Sequence, residues 1–503
     1  MIRAHSKRLG PIAKRGLETA AHPPPPPPMD MGMGMMGRAA RKPRAEGDIG
    51  SVFASLSNEK AQALPPRFRD LKRVLMGDAD NQARLIASWT RLTDRLARAA
   101  SDIERRQQAC VPVLSYDELV SGDAKAIARF KECGTAVLTG VIPESTAERW
   151  LGEVEAYVAA NPDVKGFPAD DKQVFELYWS RPQLEARSHP RAMAVQRALL
   201  NLFSGSDGPA AKQPLAYADR LRVRHPGDSR FALGPHMDGG SVERWEDPAY
   251  RAVYRDILTG RWEQFDPFEL GARARANQNL YDGPGACGVF RAFQGWTSLS
   301  HTGPGEGTLR VYPRLRELSA YTLLRPLFRA LKTEAEVGRE AYLASENWVL
   351  DTVTSDFPNA PPARSQEFND ETHPHLQLAR TMVSIPHVRP GDQAWWHADV
   401  IHAVEATHGG NGPSAVMYIP SVPMTPLNAA YVADQREAFV NRIPPPDFPG
   451  GVGESAFRGT GTPDDVKGSD ARRAMGLEKF EVSDTMPANE RAVVEACNKI
   501  LGF

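Results

Sequence analysis

Between positions 220 and 423 the sequence carries six short runs rich in β-branched, aromatic and leucine side chains. They are "RLRVRHPG" (220–227), "GVFRAFQGWTSLS" (288–300), "GTLRVYP" (307–313), "MVSIPHV" (382–388), "DQAWWH" (392–397) and "SAVMYIPSVP" (414–423). Gly, Pro and Asp separate them, so each is long enough for a strand and too short for a stable helix. This pattern predicts a β core for residues 211–430, with 431–503 as a C-terminal wrap that runs extended from Pro423 onward. Ahead of the core the period changes. In "RFRDLKRVLMGDADNQARLIASWTRLTDRLARAASDIERRQQ" (67–108), Leu71, Val74, Leu75, Leu85, Trp89, Leu92 and Leu96 recur at helical spacing. Two amphipathic helices joined near "GDAD" follow from this. "FKECGTAVLTGVIPESTAERWLGEVEAYVAANP" then reads as a strand at Ala136–Leu138, a turn, and a helix that Glu144–Thr146 are placed to cap. Residues 51–210 therefore form a helical preface with one strand against the core, and the class is α+β.

Two long stretches interrupt the β pattern. Ser241–Pro284 is rich in Trp, Tyr and Asp, and Arg314–Arg380 opens helically at "LRELSAYTLLRPLFRALKTEAEV". Unstructured loops of that length are uncommon within a domain, so both are expected to fold as lids or caps near a site. Trp245, Tyr281 and Trp296, with Trp262, are candidate walls of a substrate pocket, although aromatic residues more often fill a core.

Composition narrows the function. A chain of 503 residues can bury a large core. Its 61 Lys and Arg balance 62 Asp and Glu, leaving a net charge of -1 and no field to gather nucleic acid or an anionic membrane surface. Cys110, Cys133, Cys287 and Cys497 form no CxxC pair, which suggests neither a zinc knuckle nor a disulfide framework. No apolar run approaches the roughly 18 residues of a membrane span. The reading is a cytoplasmic protein with a small-molecule substrate. Residues 1–50, basic, then proline-only, then Met/Gly-rich, read as a disordered tail. A mitochondrial presequence is the alternative, because Arg3, Lys7, Arg8, Lys14 and Arg15 precede the first acid, Glu18.

The chemistry is concentrated in "FALGPHMDGG" (231–240). Residues two apart in an extended segment point to one side, so His236 and Asp238 can share an ion. Two histidines and one carboxylate on one face, with the other positions open, is the donor set of non-haem Fe(II) oxygenases. The missing histidine is expected in the stretch around "RPGDQAWWHADVIHAVE", which offers His387, His397 and His402. A jelly-roll return through Pro390-Gly391-Asp392 and an aromatic strand favours His402. His397 and Asp399 form a second His-x-Asp, which shows how weak that motif is alone.

Four segments resemble the YbiU-type family, which is similar to the phytanoyl-CoA hydroxylase branch of the Fe(II)/2-oxoglutarate dioxygenases. They are "FKECGTAVLTGVIPE", "RLRVRHPGDSRFALGPHMDGGSVERWEDP", "FRAFQGWTSLSHTGPGEGTLRVYP" and "GDQAWWHADVIHAVE" with "GPSAVMYIP". The resemblance implies a double-stranded β-helix, cupin-like and jelly-rolled, holding Fe(II) on His236, Asp238 and His402 and using O2 and 2-oxoglutarate, with hydroxylation of a small organic molecule as the outcome. One expected element is missing. The arginine that follows the distal histidine by about ten residues and grips the far carboxylate of 2-oxoglutarate is absent from "ATHGGNGPSAVMYIP". Arg310 and Arg291 are the first candidates to replace it, then Arg222 and Arg224, with Thr308, Ser300 and Ser414 as hydroxyl donors. The same gap leaves two other functions open: a non-catalytic metal-binding β-helix protein, and an iron enzyme that does not use 2-oxoglutarate.

Overall fold

The computed structural model describes residues 52–53, 63–205, 210–230, 232–281, 283 and 287–503. The tail or presequence expected at 1–50 lies outside them. The α+β class is observed as antiparallel sheets with helices ahead of and after them. The expected helix pair forms at Arg67–Met76 and Ala79–Arg106. Asp78 separates the two by capping the second, its side chain accepting the Asn81 N–H at 2.9 Å. The strand Thr135–Thr139 and the helix Glu144–Ala160 also form. Glu144–Thr146 do not cap that helix: Pro143 holds the N-cap position and no side chain bonds there.

The six predicted strand runs are all found, shortened at their ends by the turns that close them. From Leu221–Arg224 onward the core strands are divided between two sheets, with Leu309–Val311, Gln366–Glu367 and Val383–Ser384 all in the smaller one. The larger contains Thr135–Thr139, Gln393–His397, Phe293–Ser298, Ser414–Tyr418 and Leu221–Arg224, in that order. The smaller contains Gln366–Glu367, His236–Met237, His402–Val404, Leu309–Val311 and Val383–Ser384. In the larger sheet Trp396 lies opposite Gln294, Ala394 and Tyr418 flank Trp296, and Val416 lies between Ser298 and Arg222. Because side chains alternate along a strand, these residues share one face. Trp396 lies against His402 with ring centres 5.0 Å apart and the planes tilted by 43°, and Gln294 donates to Asp238 at 2.9 Å. That face is therefore the one turned to the small sheet.

The insertions behave differently from each other. The first supplies short helices at Glu243–Glu246 and Pro248–Val253, and these pack on the segment after His236: the Tyr250 hydroxyl donates to Gly239 O at 2.9 Å. The second lies largely against the N-terminal helices, which corrects the expectation of a lid. Trp89 stacks on Phe328 at 4.4 Å, and buried Lys72 bonds Asp351 at 2.7 Å. Its segment Gln366–Glu367 returns to pair with His236–Met237, and the Phe368 N–H donates to Pro235 O at 2.8 Å.

The C-terminal region corrects the expectation of an extended wrap. Pro426–Asn441 and Ala488–Leu501 are helices packed on each other. Thr425 accepts the Asn428 N–H and Pro426 occupies the first turn, so the start signal was present in the sequence. Among the described residues, no helix is long and apolar enough to cross a membrane.

Candidate metal centre

Asp238 sits where the strand His236–Met237 ends, and Gly239 and Gly240 follow with φ of 82° and 88°. Residues with a Cβ are strained in that left-handed region. At Gly239 a Cβ would also meet the Gln278 side chain at 2.9 Å. The two glycines let the chain turn sharply as soon as the carboxylate has been presented. Arg244, itself buried, holds the turn by donating to Asp238 O at 3.0 Å and to Gln366 Oε1 at 3.1 Å.

His402 opens its strand directly opposite His236, and the ring centres are 4.2 Å apart. The ligand atoms of His236, Asp238 and His402 all lie within 4.8 Å of one another. His236 Nδ1 is 2.7 Å from Gly234 O, and His402 Nδ1 is 3.1 Å from Val400 O. A carbonyl oxygen only accepts, so each Nδ1 carries the proton and each Nε2 presents a lone pair. These lone pairs face Asp238, Nε2 of His236 lying 3.9 Å from Oδ1 and Nε2 of His402 lying 3.7 Å from Oδ2.

Burial lowers the His402 pKa to about 3, with His236 and Arg291 acting in the same direction and Asp238 opposing. The ring is neutral at pH 7. For Asp238 burial works upward, but His402, His236, Arg291 and the Gln294 hydrogen bond outweigh it and hold the carboxyl at about 2. At pH 7, where the His402 imidazole is neutral, Arg291 is a standing counter-charge 3.9 Å away. Three electron-pair donors thus converge with no proton between them, an arrangement that repels itself unless a cation joins it.

The Gig2-like family profile matches residues 62–477. The chain belongs to the Gig2-like family. The Escherichia coli (strain K12) protein YbiU is 33% identical over 411 residues, which cover 78% of this chain and 91% of YbiU, so the likeness extends well beyond the site. The crystal structure of GlcNAc Inducible Gene 2, GIG2, from Candida albicans is 31% identical with a TM-score of 0.78, covering 88% of this chain and 96% of that one. A hypothetical protein from Escherichia coli shares the fold at 30% identity and TM-score 0.69, covering 83% and 99%.

The other predicted site residues of this Gig2-like chain separate clearly. Arg310 lies opposite Ala403, one residue out of phase with the His402–Val311 pair. It therefore occupies the other face of the small sheet, where it donates to Met382 O at 2.7 Å. This removes Arg310 from the site, and its place as first candidate is corrected. Thr308 is in phase with Arg310, and its backbone N–H is held by Glu405. Arg224 is saturated by Asp228 at 2.6 Å and by the carbonyls of Glu405 and Ala406. Ser300 is also engaged, accepting the Ala415 N–H at 2.9 Å. Arg291, Arg222 and Ser414 remain.

Among the aromatic candidates, Trp245 is fully buried and donates to Leu323 O at 3.0 Å, and Trp262 is buried too. Tyr281 is held by Glu246 and Arg67. These are structural contacts, and only Trp296 shares the inner face with Gln294. Sequence reasoning missed Gln294, Arg244 and Phe53, whose ring meets His236 edge-on at 4.8 Å. Gln294 alone had a readable signal, its two-residue offset from Trp296 along one strand.

Proposed function

We propose that the protein is an Fe(II)/2-oxoglutarate-dependent oxygenase acting on a small organic molecule, with hydroxylation as the reaction. The observation that carries this reading is the convergence of two imidazole lone pairs and one ionised carboxylate on one point. Two histidines and a carboxylate on one face fit ferrous iron and leave open positions for oxygen and a chelating cosubstrate. The two-sheet arrangement supports the reading too: Leu221–Arg224, Phe293–Ser298, Gln393–His397 and Ser414–Tyr418 in one sheet face His236–Met237, Leu309–Val311, Val383–Ser384 and His402–Val404 in the other, as in a double-stranded β-helix. When bound, iron with 2-oxoglutarate as electron donor would let O2 act as the oxidant, chemistry that side chains alone lack.

The chain's own residues supply position and surroundings. Gly234 O and Val400 O fix the two rings with Nε2 inward. Gln294 takes up one oxygen of Asp238, which sets the carboxylate plane. Arg291 keeps Asp238 ionised. Trp396, His236 and His402 are buried, so the reacting face is screened from bulk water on the protein side.

Anaerobic titration with Fe(II), followed by 2-oxoglutarate, tests the proposal. The expected result is about one ferrous ion per chain and a visible charge-transfer band when the keto acid is added. His236→Ala, Asp238→Ala and His402→Ala should each abolish stoichiometric binding with the fold retained, while His397→Ala should not. Iron binding with no band would point to an iron enzyme that does not use 2-oxoglutarate, and a band without substrate turnover to a binding protein.

A further inference from the structure

A dicarboxylate held at the metal by one end must place its other carboxylate against a cation. The usual strand for that cation offers none here, because the inner face of Ser414–Tyr418 presents Ser414, Val416 and Tyr418. Directly across from Val416, on the neighbouring strand, is Arg222. Its side chain is 3% exposed, it lies between Val416 and Val174, and it makes no hydrogen bond or ion pair with any described residue. Its Nε is enclosed with no partner. A buried guanidinium left in that state is costly, and an anion supplied from outside removes the cost.

The register places this guanidinium relative to the metal cluster. Gln294, the residue that bonds Asp238, shares a face with Trp296 and Ser298 along one strand. Trp296 lies opposite Tyr418, and Ser298 opposite Val416, which in turn faces Arg222. Arg222 is thus two rows from Gln294 on the same inner face, a separation of about 13 Å along the strand. Tyr418, in the row between, feels the charges of both Arg222 and Asp238. Burial raises its pKa, with Arg222 opposing, and no hydrogen bond from a described residue takes up its hydroxyl. The Ser414 Oγ, on the same face of the last strand, is also enclosed without a partner.

We propose that Arg222, with the Tyr418 and Ser414 hydroxyls beside it, forms the subsite for the far carboxylate of 2-oxoglutarate, taking from a neighbouring strand the role that the last strand leaves vacant at Val416. This rests on the oxygenase reading and deepens it. Arg291 is not equivalent: it is committed to Asp238 at 3.9 Å and lies over the Tyr217 ring at 5.5 Å. A guanidinium meets a carboxylate through two parallel hydrogen bonds and stays charged when buried, so the subsite selects dicarboxylates over monocarboxylates.

The test compares 2-oxoglutarate with 2-oxobutyrate, which keeps the keto-acid end and lacks the far carboxylate, in full-length Fe(II)-loaded protein without oxygen. Affinity is read from the charge-transfer band and from calorimetry. The wild type should prefer 2-oxoglutarate by at least about tenfold. Arg222→Met should abolish that preference while leaving affinity for iron and 2-oxobutyrate unchanged. Arg222→Lys should retain part of it, and Arg310→Met all of it. Arg222→Met removes a buried unpaired charge, so its melting temperature should not fall. The inference is overturned if Arg222→Met and Arg222→Lys keep the wild-type preference, or if Arg291→Met alone loses it. If wild-type protein binds iron but neither keto acid, the oxygenase reading fails and this subsite fails with it.

Discussion

His397 and His236 are both buried, and each precedes an aspartate by two positions, yet only one can donate to a metal. His397 has both nitrogens in use: Nε2 lies 3.0 Å from Pro267 O, and Nδ1 accepts the Asp399 N–H at 3.0 Å. Asp399 is in turn taken by Arg273 and the Tyr254 hydroxyl. The pair fixes the turn that leads into His402. The distinction was not legible in the motif, because it depends on whether Nε2 is taken, and the group that takes it in His397, Pro267 O, lies 130 residues away in the chain. Such rings also set a pH limit. Burial lowers the His397 pKa to about 3, with Arg273 adding to it, and burial lowers His375 to about 3, with Arg325 adding. In the unfolded chain both titrate near 6.5. Between those values the unfolded state binds more protons, so stability is fully present above about pH 6.5 and is lost as the pH falls toward 3. Melting temperatures taken from about pH 7.5 to 4.5 should therefore fall steeply. His375→Gln should melt lower at pH 7, since the Tyr321 and Leu343 bonds at 3.1 Å are disturbed, but with a shallower pH slope.

Elements were legible where a period survives in the sequence. Leu85, Trp89, Leu92 and Leu96 mark one face of Ala79–Arg106, and all four are buried. The helix Pro426–Asn441 carried no such apolar stripe, because its buried face mixes the polar Asn428 and Gln435 with Tyr431 and Phe439, while Ala429 and Ala433 are buried further round it. Strands of two residues, such as His236–Met237 and Val383–Ser384, are too short to show alternation at all. The side of the sheet on which Arg310 falls depended on a register that only pairing fixes. At this scale the contact between Arg67–Met76 and the second insertion joins the edge-on packing of Phe68 on Phe357 to the ion pair of Lys72 with Asp351, whose side chains are 1% and 4% exposed. Breaking a buried pair by removing one partner leaves an uncompensated charge. Lys72→Met is expected to cost about 3–5 kcal/mol in urea unfolding, and Lys72→Met with Asp351→Leu to recover most of it. Neither should change iron stoichiometry, since the pair lies outside the metal cluster.

For the whole molecule, the strand runs and the family resemblance were enough to bring His236, Asp238 and His402 together on paper across 402 − 238 = 164 positions. Which of four arginines could serve the proposed far-carboxylate subsite was not legible, because register sets Arg310 apart and hydrogen-bond partners set Arg224 apart, and neither can be read from sequence. The same distance in sequence has a thermodynamic meaning. The three donors stand together only when the strand His236–Met237 lies beside His402–Val404, so an unfolded chain offers the ion no comparable site. The ion then acts as a clasp whose affinity is counted in the folding equilibrium. A free metal concentration one hundred times the dissociation constant should add about 2.7 kcal/mol to stability. Thermal melts with Mn(II) or Co(II) should rise with metal concentration for the wild type and stay flat for His402→Ala. If iron fills the site as proposed, a cell short of it would hold a less durable protein as well as a less active one, and its abundance would follow the metal supply.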